Sequence, residues 1–151
     1  MPAGAFKVYG AASEKIARAT LDLDTHTFRM VLLTSAYTPN QSVHAAYSDI
    51  SAAQVAAGGG YTTHGKVLVC TVARTGLVIM FDCDDQVWAA STITAKYAAI
   101  VRNALVDGVL AATEDIVAFV DLETAGGSVS TTAAALTITI NVAGVFTLTN
   151  T

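Results

Sequence analysis

The spacing of apolar and polar positions follows the period of extended structure along most of the chain. From Lys15 onward, Ala17, Ala19, Leu21 and Leu23 fall on one side and Arg18, Thr20, Asp22 and Asp24 on the other. This alternation predicts a half-buried strand closed by a turn at Asp24-Thr25-His26. Over Thr27 to Ser35, Phe28, Met30 and Leu32 share one face and Val31 and Leu33 the other, so the segment predicts a central strand covered on both sides. Pro39 lacks the donor a ladder needs and restricts Thr38, which ends that run at Tyr37-Thr38-Pro39-Asn40. One helix is predicted, near residues 49–57. Ser48 is placed to cap its first turn and Asp49 lies at its positive end, while Ile50, Ala53 and Val55 to Ala57 form its apolar stripe and Gly58-Gly59-Gly60 stops it.

Lys66 to Ala73 and Leu77 to Asp82 flank Arg74-Thr75-Gly76 at the spacing of a β-hairpin. Further strands are predicted at 86–90, 93–102, 115–122, 134–141 and 145–149. In the last two, Leu136, Ile138, Ile140 and Val142 alternate with Thr137, Thr139 and Asn141, and Ala143-Gly144 supplies the turn of a closing hairpin without a single charge. Turn residues recur every 8 to 15 positions, so the expected fold is all-β, mainly antiparallel, sandwich or jelly-roll-like, with one short α-helix. Residues 1–14 carry little pattern and read as an N-terminal arm or loop; residues 15–151 read as one β-rich domain. A charge-free closing hairpin has none of the devices that guard exposed strand edges, so it is expected to be covered by the core or by a neighbouring subunit.

Composition sharpens this expectation. The chain has 151 residues, with 8 Lys and Arg against 12 Asp and Glu for a net charge of −4. That balance, with a pI near 5.1, argues against nucleic acid and against an anionic membrane surface as partners. Only 13% of residues are charged and 53% are apolar, where soluble domains average roughly 25% charged. A folded monomer of 15.5 kDa exposes about 7,000 Å², so charges are thinly spread over it, and much of that surface is expected to be hidden in an assembly. Mean hydropathy is high at +0.52, yet the longest uncharged stretch, Thr124 to Thr151, is broken by Gly126, Gly127, Asn141 and Gly144 and is rich in Thr, unlike a spanning helix. The opening MPAGAFKVYG lacks the pattern of a secretory leader, so the chain is expected to remain in the cytoplasm until it is assembled. Cys70 and Cys83 read as free packing thiols.

Candidate chemistry is sparse. His26, His44 and His64 fall in predicted turns and loops with no spacing that pairs two on one helical face, so no zinc site is expected. Asp82, Asp84 and Asp85 lack the glycine and distal Glu of a calcium loop and read as a solvated turn. No nucleophile elbow is present; Ser128 reads as a turn hydroxyl, and Gly58-Gly59-Gly60 closes a helix where a phosphate cradle would open one. No catalytic residue and no cofactor is expected. A small hydrolase using Asp82, Asp84 or Glu114 ranks last among the readings. Trp88 with Tyr37, Tyr47, Tyr61 and Tyr97 supports an alternative in which exposed rings stack on a glycan, but a lone Trp in a strand more commonly belongs to a core or an interface. The interface candidates are Trp88, Tyr97, Leu136, Ile138, Ile140 and Phe146.

Several segments together resemble a small virion protein of tailed bacteriophages, encoded beside the major capsid protein. They are Leu32-Leu33-Thr34-Ser35 with Tyr37-Thr38-Pro39-Asn40; His44 and Ser48-Asp49-Ile50; Gly60-Tyr61-Thr62 before Gly65; and Trp88 with Ser91-Thr92-Ile93-Thr94-Ala95. Ile116 to Asp121, Leu136 to Asn141 and Gly144-Val145-Phe146 complete the set. These segments span most of residues 15–149 in the family's order, each of them short and none catalytic. The chain departs from the pattern at His64, where a small residue is expected, and at Thr147, in place of a basic one. The resemblance implies a decoration or cement protein on the virion capsid surface, assembled in the host cytoplasm. Its partners would be the major capsid protein and sister copies arranged as a homotrimer. The alternative within the same particles is a tail or fibre component that binds a host-surface glycan.

Overall fold

A computed structural model describes residues 3–150. In chain order its elements are β1 (Lys7–Val8), α1 (Gly10–Ala17), β2 (Phe28–Leu33), α2 (Ser48–Ser51), β3 (Lys66–Leu68), β4 (Cys70–Thr75), β5 (Val78–Cys83), β6 (Gln86–Ser91), β7 (Thr94–Ala95), β8 (Tyr97–Arg102), β9 (Leu105–Val106), β10 (Val109–Leu110), β11 (Ile116–Asp121), β12 (Val129–Ser130), β13 (Ala134–Ile138) and β14 (Phe146–Thr149). The fold is all-β, with every strand pair antiparallel.

Strands β2, β8 and β11 carry apolar residues on both faces and are buried on both. They form the middle of a five-stranded sheet ordered β1-β11-β8-β2-β3. Small side chains lie at its centre: Ala98, Ala99 and Ala118 are fully buried, beside Val31, Ile100 and Val117. A second sheet, β14-β5-β4, joins the body through Phe81, whose ring meets Phe28 edge-on at 5.4 Å and Phe146 at 5.5 Å. The pairs β13-β6, β12-β7 and β10-β9 complete the fold.

The predicted strand over 15–24 is instead the end of α1 and a series of turns. Ala17 and Ala19 are exposed and only Leu21 of that series is fully buried; the Ala-rich run from Gly10, ahead of the alternation, has the helix propensity that carries α1 to Ala17. Residues of the expected arm are likewise structured. Lys7 and Val8 pair with Phe119 and Ala118, and Tyr9 and Ala12 belong to the core; Met1 and Pro2 of that arm lie outside the described residues. The second helix is one turn, 48–51, where 49–57 was expected, because Gln54 and Val55 leave it to bond β2: Gln54 bridges Leu33, and Val55 N–H donates to Leu32 O. The closing hairpin is absent, since β13 pairs with β6 and β14 with β5. The thiols are not free. Cys70 and Cys83 stand opposite each other in the β4–β5 register and form a disulfide.

Candidate functional site

The titratable side chains are dispersed and mostly occupied by backbone. Asp82 Oδ1 accepts from Cys83 N–H at 2.9 Å, Asp84 Oδ1 from Val69 N–H at 2.7 Å and Asp85 Oδ1 from Ile140 N–H at 2.8 Å. The acidic cluster therefore ties three segments together. Among the described residues no group of three His, Cys, Asp or Glu side chains is placed to hold a metal ion. Burial holds the Glu114 carboxyl above its ordinary range, and its Oε2 is buried without a hydrogen-bond partner among the described residues.

The tyrosines form two buried polar networks. Tyr9 and Tyr37 hydroxyls lie 2.6 Å apart, and Tyr37 reaches His44 Nδ1 at 2.9 Å. In the second, Tyr47 donates to Gln54 Oε1 at 2.5 Å and lies 3.0 Å from His64 Nδ1, while Gln54 Nε2 and Leu32 N–H both donate to the Tyr61 hydroxyl. Burial pushes the Tyr9, Tyr37, Tyr47 and Tyr61 phenols up and the His64 imidazole down, so all five groups stay neutral near pH 7. Arg29 braces the adjoining turn, donating to His64 O at 2.8 Å and Gly65 O at 2.9 Å. Gly65 sits at φ +64°, and a Cβ there would lie 1.9 Å from Met30 O. His64 also adopts a left-handed backbone, φ +69°, which suits the small residue expected at that position.

Four of the six interface candidates are core. Trp88, Leu136, Ile138 and Ile140 are each at most 7% exposed, with Leu136 opposite Trp88 across β13–β6. Trp88 packs 6.2 Å from Tyr61 beneath the Lys66 ammonium, and its Nε1 has no hydrogen-bond partner among the described residues. Tyr37, Tyr47 and Tyr61 are also buried, so these rings present no stacking face to a sugar. Tyr97 and Phe146 are half-buried. The structure does bring Leu136, Ile138 and Phe146 together, along a groove of about 850 Å³ between β13, β14 and the segment 3–6, with no charged residue in its lining.

Exposed apolar side chains are spread over the surface, and some of them lie on the smaller sheet and its turn. The β14-β5-β4 sheet reaches outward from Phe81, and every residue of β4 after Cys70 is exposed. Registers align Phe146, Phe81 and Val72 in one row and Leu148, Ile79 and Arg74 in the next, on the same face. The core-facing side of this sheet thus continues past the body into water, with Val72 at 37% and Leu148 at 51% exposure and Leu77 at 64% on the turn.

No family model, curated protein or solved structure matches this chain.

The projecting surface was not among the sequence-derived candidates. Its signal was present: Leu77 to Phe81 is an uninterrupted apolar run, and only one charge, Arg74, interrupts the apolar and Thr residues of β4. Alternation predicts which residues share a face, but not how far a hairpin extends beyond the body that covers it.

Proposed function

We propose that this chain is a structural subunit of a phage virion, a capsid decoration or cement protein that binds the major capsid protein lattice and sister copies on the particle surface. The observation that carries this reading is the scarcity of charge. Twenty charged side chains over 7631 Å² leave about 380 Å² to each, roughly twice the area of an average composition, and Lys96, Asp115 and Glu123 are buried besides. The projecting β14-β5-β4 sheet adds an apolar contact face, and Ala, Thr and Val side chains lose little rotamer entropy on being fixed against a lattice. The reading needs no catalytic residue and no cofactor. The segments that resemble the small virion proteins support it independently of the fold.

The test adds purified chain to heads assembled from the major capsid protein of the same genome. Saturable binding, ordered density on the shell by cryo-electron microscopy and a raised temperature of head disruption are expected. Failure to bind such heads overturns the proposal.

A further inference from the structure

The consecutive strands β13 and β14 do not pair with each other: β13 bonds β6 alone and β14 bonds β5 alone, so each keeps one unpaired edge. The groove of about 850 Å³ lies between those edges, and its lining shows how it is built. Residues 136–139 line it one after another, as do 145–147, which makes the two strand edges its walls; Val120 and Leu122, two positions apart, present a sheet face as its floor beside Phe6. Asn150 N–H donates to Leu77 O at 3.0 Å, one step beyond the Thr149–Val78 pair. Hydrogen-bonded pairs alternate along an antiparallel ladder, so Phe146 and Leu148 bond β5, while the N–H and C=O of Thr147 point away from it along the unpaired edge.

We propose that this groove receives a single strand, an extended and uncharged arm of the major capsid protein. The arm runs between β13 and β14, joins the β13-β6 pair to the β14-β5-β4 sheet as one layer, and covers Phe6, Val120 and Leu122. This deepens the structural-subunit reading and rests on it for the protein that supplies the arm.

Backbone geometry selects the occupant. An acyl chain offers nothing to outward amides and carbonyls, and a helix uses its own on itself, whereas an extended segment can pair with both edges at once. A second copy of this chain cannot supply that segment without unfolding: a strand entering between two edges must be free on both sides, and every described strand is already paired on at least one. The arm therefore comes from a different protein. Charge narrows it further. Among the described residues no Lys, Arg, Asp or Glu lines the groove, so a charged side chain aimed at its floor would lose hydration without gaining a partner. The wall formed by residues 136–139 spans about 13 Å, which fits an arm of about four or five residues, apolar at every second position and free of proline.

The experiment titrates the purified full chain with labelled overlapping peptides tiled across the major capsid protein of the same genome, read by fluorescence anisotropy and by hydrogen exchange. One uncharged segment is expected to bind saturably and to protect the Thr147 amide. Thr147→Pro removes an outward donor while sparing every β14–β5 bond, and Thr139→Glu brings a charge to an exposed position of the groove. Each should weaken binding at least about tenfold; Thr139→Glu, with melting unchanged, carries the test should Thr147→Pro disturb folding. Binding indifferent to Thr139→Glu, a peptide held as a helix, or self-association that Thr139→Glu abolishes overturns the inference. A chain that coats heads but takes up none of the peptides refutes this site alone, whereas one that takes up a peptide but ignores assembled heads refutes the capsid-surface reading alone.

Discussion

Removing the Cys70–Cys83 bond is the perturbation whose size follows most directly from the structure. The bond closes a loop of sequence separation 13 across the base of the β4–β5 hairpin. Loop-closure entropy for a loop of that length amounts to about 3 kcal/mol at 25 °C. A chain of 151 residues shifts its melting temperature by about 2–4 °C per kcal/mol, so Cys70→Ala/Cys83→Ala should melt about 6–12 °C lower. Alanine is the right replacement because Cys83 is 6% exposed and a serine would bury a hydroxyl there. The assay is calorimetry with and without a phosphine reductant: reduction should lower the wild type by a similar amount and leave the double variant unmoved. Thiol titration of the unfolded, unreduced protein should find no free thiol. A shift below about 2 °C together with two titratable thiols would refute the cross-strand bond.

Other outcomes follow from single contacts. Gly65→Ala should cost at least about 2 kcal/mol in urea unfolding, since it combines a left-handed backbone with a Cβ 1.9 Å from Met30 O; a loss under 0.5 kcal/mol, about the scatter of a neutral surface change, contradicts it. Trp88→Ala should cost about 3–5 kcal/mol, as a ring 1% exposed requires; a variant of wild-type stability would mean that the ring is not core. Glu114→Gln should raise the melting temperature at pH 7. The folded-state pKa of Glu114 is raised by burial, so its penalty is complete above that folded value and vanishes below the ordinary unfolded one. The gain should therefore shrink as pH falls through that window, and a gain that persists at pH 3 would show that charge is not its source.

The centre of the fold was legible because β2, β8 and β11 bear apolar residues on both faces, a pattern that admits little but a covered strand. The disulfide was hidden by a turn placed one or two residues early. A loop centred on Thr75 sets Cys70 opposite Met80; centring on Gly76-Leu77 sets it opposite Cys83. The N-terminal helix was missed because most of it, Gly10 to Glu14, precedes the alternation and has no apolar stripe, and only Ala17 of the alternating series falls inside it. For the candidate site, alternation ranked Leu136, Ile138 and Ile140 as apolar without distinguishing the chain's own core from a face turned toward others, and only the three-dimensional extent of β4 and β5 makes that distinction.

The turn at Gly76-Leu77 offers a place for insertion. A side chain at Gly76 would meet nothing within 4 Å, and the strands leading to it are clamped below by a covalent staple. A foreign peptide spliced between these two residues would leave the packed alanines of the main sheet untouched, in keeping with the tolerance of exposed loop tips. If the chain coats a capsid as proposed, each bound copy would display that peptide at its tip.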